Sequence, residues 1–192
     1  MLNRVITDSS GYRKIAEDWY LHNRFIPQSP KNVLLTAFEN TSSELFVKAF
    51  DEKYRKLILK NDKVKSILQF ENELKSHEYD YVFSFGQKPV IIDKIYIEKY
   101  GKAEVETYKA SIDLAELAKV MTESGLAVRL SENAGTSFCN NIYAYGLNYI
   151  FSNDKKTKMV FIHIPFLKNI SEQQKFFDHI KEALNYFICK DI

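Results

Sequence analysis

A chain of 192 residues can bury one substantial core, and 45% hydrophobic with 27% charged residues excludes a disordered or low-complexity protein. The net charge of +2 is built from interspersed signs, which argues against nucleic acid or an anionic membrane as partner, and no apolar run reaches the ~20 residues that span a bilayer. Two cysteines form no disulfide framework, four scattered histidines give no metal-ligand spacing, and the N-terminal stretch MLNRVITDSSGYRK lacks the apolar core of a secretory signal, so the expectation is a reduced, cytoplasmic protein without metal or cofactor.

Residues 9–23 place Tyr12, Ile15, Ala16 and Trp19 on one helical face after serine caps, and RFIPQSPKN then breaks the pattern with two prolines. Residues 1–31 therefore read as a helical extension and linker ahead of a domain at 32–192. NVLLTAF (32–38) is short and apolar enough for a buried strand. SSELFVKAFDEKY follows as a helix using Phe46, Ala49 and Phe50, and KLILK (56–60) as a second strand. DKVKSILQFENELKSH has helical spacing with an Asp62 cap. YDYVFSFG (79–86) reads as a strand, and PVIIDKIYIE (89–98) alternates like another.

SIDLAELAKVMTESG is a helix capped by Ser111 and ended by Gly125; LAVRL (126–130) is a strand followed by the turn SENAGTSF. CNNIYAYGLNYIF predicts a helix and MVFIHIPF a strand. The last helix, within 171–189, opens on a Ser171-x-x-Gln174 capping box. Strands alternating with helices at this spacing predict a three-layer α/β/α sandwich around a mostly parallel, mixed sheet.

Cys139 stands after a turn of small residues, Ala134, Gly135, Thr136 and Ser137, and at the start of a helix. Free N–H groups and the helix dipole there lower a thiol's pKa and can hold an oxyanion. His163, late in an apolar strand, could take the thiol proton and return it to a leaving amine. The alternative is a buried thiol and a core histidine. Cys189, on the apolar face of the last helix, reads as an ordinary buried thiol.

Residues 32–170 resemble the pyroglutamyl peptidase I (pyrrolidone-carboxylate peptidase) family of cysteine exopeptidases, with a phosphorylase/hydrolase-like α/β fold. The likeness is carried by VLLTAFE (33–39), YDYVFSFGQ (79–87), SENAGTSFCNNIYAYGLNYI (131–150) and VFIHIPFL (160–167). It implies Cys139 as nucleophile and His163 as general base. IDKIYIE resembles the family's Pro-Glu-Arg-Val-Ala strand, which puts Asp93 where the family has its third catalytic member, a glutamate. The alternative for Asp93 is a strand residue facing away.

Phe38 and Gln87 match positions the family uses near its lactam pocket. Phe138 could add an apolar wall or simply pack under the turn. The family's second opening-loop phenylalanine is replaced by Thr41, its Gly-Gly-Arg after Gly-Gln is Lys-Pro-Val, and its Ala-Arg-x-Pro-Asp-Asn motif is absent. The resemblance implies hydrolysis of an N-terminal pyroglutamyl or related small acyl amide through a thioester. Its partner would be a small peptide or amide, and the enzyme could be a homo-oligomer. The competing readings are a binding module that keeps only the fold, and a processing hydrolase for a different small amide.

Overall fold

The computed structural model describes residues 31–133, 135 and 137–190. They belong to a unit running from Lys31 to Ile192. The helix expected at 9–23, its proline linker, and Ala134 and Thr136 of the turn lie outside the described residues.

In chain order the elements are β1 (Val33–Phe38), α1 (Ser42–Lys48), β2 (Arg55–Leu59), α2 (Lys63–Ser76), β3 (Tyr81–Lys88), β4 (Lys94–Glu98), β5 (Tyr100–Lys102), β6 (Thr107–Lys109), α3 (Leu114–Glu123), β7 (Ala127–Ser131), α4 (Phe138–Ser152), β8 (Lys158–Pro165) and α5 (Gln173–Lys190). Six strands form one sheet in the order β2-β1-β3-β8-β4-β7, and β5 and β6 make a separate hairpin. Every neighbouring pair in the large sheet is parallel except β4 against β8. The sheet is mostly parallel and mixed, as expected.

Alternation along each strand sorts side chains onto the two faces. Phe85 of β3 meets Phe46 of α1 at 4.9 Å between ring centroids, and Phe46 meets Phe177 of α5 at 5.2 Å. On the opposite face Phe161 of β8 meets Tyr143 of α4 at 5.8 Å. Bare Gly146 of α4 lets the helix settle on Met159 and Phe70. Thus α1 and α5 cover one side, α2 and α4 the other, and β1, β3 and β8 are buried nearly throughout between them.

Several local expectations are corrected. The helix after β1 stops at Lys48, capped at its start by Thr41, whose hydroxyl accepts from Glu44 N–H. The cap of α3 is Asp113, whose carboxylate accepts from Ala115 and Glu116; Ser111 instead accepts from Met159 N–H at 2.8 Å. No Ser171–Gln174 capping box forms, because Ser171 donates to Asp93 through both its N–H and its hydroxyl, while Gln174 donates to Asp178. The strand expected from 89 begins only at Lys94. Pro89 supplies no N–H, Val90 and Ile92 are exposed, and Asp93 sits in the left-handed region at φ 46°.

Candidate active site

The site is assembled on the α4-facing side of the sheet, where β1, β3 and β8 end. Thr36 and Ser84 are register partners joined by a buried hydrogen bond of 2.9 Å, which fixes that face. Two residues on, β1 presents Phe38 and β3 presents Gly86; the register then pairs Gly86 with His163 of β8. Row and face together put His163 beside the bare α-carbon of Gly86. A Cβ built on Gly86 would lie 2.7 Å from Cys139 Sγ and 2.9 Å from Phe161. The sulfur therefore fills the space that glycine leaves, next to the histidine.

Cys139 gets there as the second residue of α4. Ser137, extended at φ −85°, ψ −174°, starts the helix without a side-chain cap bond. The first intrahelical bond runs from Asn141 N–H to Ser137 O, so the N–H groups before it have no partner within the helix. Asn140 ties this turn to β5: its Oδ1 accepts from Lys102 N–H at 2.8 Å and its Nδ2 donates to Lys102 O at 2.7 Å. Asn140 is buried, so Asn140→Ala should cost about 2 kcal/mol in denaturant unfolding by leaving both Lys102 groups without their partner. A change within a few tenths of a kcal/mol would show that the clasp contributes nothing.

The thiol is not the low-pKa group that its helix position suggests. Burial pushes it up, to about 11, against lowering by Ser137 and by its own backbone N–H. The charge on Glu98 raises it further and that on Lys88 opposes. Burial against the core outweighs the helix terminus, and near neutral pH the sulfur carries its proton.

His163 is only 3% exposed, and its Nδ1 lies 2.7 Å from Oε1 of Glu98, which is fully buried. Burial opposes the charge on Glu98, but the His163 bond holds the carboxyl below the usual range, helped by Ser131 and Lys88. Ser131 acts from outside hydrogen-bond geometry, its hydroxyl donating instead to Asn133 O. Glu98 Oε2 is buried with no hydrogen-bond partner among the described residues. An ionised carboxylate can only accept, so Nδ1 carries the imidazole proton and Nε2 is left free as a base.

The carboxylate beside His163 is thus Glu98 and not Asp93. Glu98 is the last residue of β4, whereas Asp93 precedes the strand in a left-handed turn, so strand alternation does not aim it at His163. Asp93 turns toward the start of α5, where Ser171 holds its carboxylate at 2.7 and 2.5 Å. Glu98 was readable as the acid that closes the Tyr96–Glu98 side of a strand whose other side is Ile95 and Ile97. Lys88, also missed, lies two residues beyond Gly86 on the same face, with Nζ 3.5 Å from Glu98 Oε1.

Phe38 and Phe138 do come together, with ring centroids 6.2 Å apart, and Phe138 keeps 38% of its surface exposed. Gln87 is turned to the other layer, where its Oε1 accepts from Ser42 N–H at 3.1 Å and braces the start of α1. Cys189 is exposed on α5 rather than buried. A cleft of about 530 Å³ flanks the start of α4, lined in part by Asn133, Gly135, Asn141 and Lys102.

The pyroglutamyl peptidase family matches residues 90–175, which include Glu98, Cys139 and His163. Over that segment the chain is similar to pyroglutamyl peptidases. A pyrrolidone-carboxylate peptidase of Fusobacterium nucleatum is 27% identical over 125 residues, 54% of this chain and 58% of that protein. Pyrrolidone-carboxylate peptidase 1 of Caldanaerobacter subterraneus is 34% identical over 84 residues, 44% of this chain and 38% of that one. These matches span about half the length of the curated relatives, or less. The fold extends further. The pyrrolidone carboxyl peptidase of Thermococcus litoralis superposes with a TM-score of 0.71 at 18% identity, covering 84% of this chain and 96% of that structure. Pyroglutamyl peptidase I of Bacillus amyloliquefaciens gives 0.67 at 19% identity, covering 80% and 93%.

Proposed function

We propose that the chain is a cysteine exopeptidase that hydrolyses an N-terminal pyroglutamyl, or closely related small acyl, amide through a thioester. The observation that carries this reading is the seating of Cys139 Sγ in the space left by Gly86, beside a histidine oriented by a buried glutamate.

In this reading His163 Nε2 takes the Cys139 proton as Sγ attacks the acyl carbon. A thiol held at about 11 is poorly ionised at rest, so deprotonation accompanies attack rather than preceding it. Glu98 accepts the Nδ1 hydrogen bond and stabilises the imidazolium. The open N–H groups at the start of α4 hold the developing oxyanion. His163 returns the proton to the leaving amine, which departs as the C–N bond breaks. Water, activated by the same imidazole, then cleaves the thioester and restores the thiol.

Phe138, exposed above the buried Phe38, offers apolar surface for a small ring, and the cleft beside α4 is room for the rest of a peptide. Two free cysteines and no disulfide among the described residues support a reducing compartment such as the cytoplasm.

The test uses a Cys189→Ser form, which removes the exposed second thiol. It should release a fluorophore from a pyroglutamyl amide, and release should stop when Cys139 is alkylated. Release that continues with Cys139 fully alkylated, verified by peptide mass, would overturn the reading. Absence of release from pyroglutamyl and related small acyl amides would favour the binding module.

A further inference from the structure

We propose that Lys88 is a positioning residue whose ammonium ties the Glu98 carboxylate to the loop that enters α4, so that carboxylate, imidazole and sulfur stay aligned. This rests on the proposed roles of Cys139, His163 and Glu98. It extends them to a position where the resemblance offers no counterpart, since Lys-Pro-Val replaces Gly-Gly-Arg.

Alternation along β3 carries Lys88 onto the face of Gly86, one pleat nearer the strand end. Its Nζ lies 3.5 Å from Glu98 Oε1, the oxygen that also meets His163 Nδ1. The same ammonium donates to the backbone O of Asn133 at 3.5 Å, in the segment between β7 and α4. It also sits 5.0 Å from the ring centroid of Tyr96, two residues before Glu98 on β4. One side chain from β3 thus touches the strand of the carboxylate and the loop of the nucleophile.

The electrostatics give that contact a purpose. The groups facing Glu98 are His163 from β8, Lys88 from β3, Cys139 from α4 and the neutral Ser131 hydroxyl from β7. Without Lys88, the buried carboxylate would stand as the nearest charge to the sulfur and would oppose thiolate formation. With it, the pair is neutral, and passing the Cys139 proton to His163 creates a second pair beside a balanced first one. Side-chain exposure of 25% for Lys88 and 0% for Glu98 keeps the contact largely out of bulk water, where such a pair counts for more.

Lys88→Met and Lys88→Arg, each with Cys189→Ser, test this through kcat and KM on a pyroglutamyl amide and through the alkylation rate of Cys139. Lys88→Met should lower kcat about ten-fold or more with little change in KM. It should also slow Cys139 alkylation several-fold between about pH 8 and 10, since less thiolate is present at each pH. Lys88→Arg should restore most of both.

A lysine that merely stabilises the fold would lower the melting temperature and leave kcat and alkylation unmoved, which overturns the proposal. If the parent hydrolyses no such amide, the proposed activity has failed. The alkylation rates still decide Lys88: slowing by Lys88→Met with recovery by Lys88→Arg supports it, and unchanged rates overturn it.

Discussion

Glu98→Ala is expected to lower kcat by about 10⁴-fold, whereas Asp93→Ala should leave it within about two-fold. The reason lies in the imidazole tautomer. Glu98 Oε1 sits 2.7 Å from His163 Nδ1 and, as an ionised acceptor, holds the proton there and the Nε2 lone pair free. Without that acceptor a buried histidine loses its orientation, its correct tautomer and the countercharge for its cation. The Asp93 carboxylate accepts from Ser171 at the approach to α5, so its loss should appear as a small change in stability. The measurement is kcat at saturating amide substrate for both variants, with circular dichroism to verify folding. Equal losses in the two, or activity retained in Glu98→Ala, would show that the imidazole works without the carboxylate it touches.

The contrast between these two acids also marks where the sequence could be read and where it could not. Helices with local punctuation were legible: Asp62 caps α2, and Gly125 at φ 89° follows α3. Short apolar runs such as VLLTAF and MVFIHIPF were legible as covered strands because parallel strands are buried on both faces. Cys139 and His163 stood out for their chemistry, and Gly86, the register partner of His163, leaves the space that the Cys139 sulfur takes.

What stayed hidden depends on choices made across the fold. Val90, Ile91 and Ile92 look like strand residues, and only the turn at Asp93 shows that pairing starts at Lys94. Moving that start decides which acid points at His163. The antiparallel insertion of β4 beside β8 is a non-local event with no local signature. The β5–β6 hairpin has three-residue strands, too short for any period. Its one signal was Gly101, whose Cβ would strike the α4 backbone at Ala144. The thiol's raised pKa likewise reflects burial against the core, which a helix-terminus argument from sequence leaves out.

Gly86→Ala should lower kcat by about 10²-fold or more and destabilise the fold by about 1–3 kcal/mol. The backbone accepts alanine there, since the glycines with positive φ among the described residues are Gly125 and Gly135. Space is therefore the only objection. The new methyl would stand 2.7 Å from Cys139 Sγ and 2.9 Å from the Phe161 ring, well inside van der Waals contact.

Phe161 cannot retreat easily, being packed against Tyr143 at 5.8 Å and His163 at 5.0 Å. The start of α4 is held by the Asn140 clasp on Lys102, and its middle by Tyr143, whose hydroxyl donates to Glu98 O at 3.0 Å. The sulfur is the freest atom, so it should yield, leaving its place beside His163. Ser84→Ala is the control, one pleat earlier on the same face. It loses the Thr36 bond at a cost of about 1 kcal/mol but leaves the glycine space open, so kcat should hold. Parallel loss of kcat in both variants would trace the effect to general weakening of β3. Loss in Gly86→Ala alone would trace it to the position of one sulfur atom.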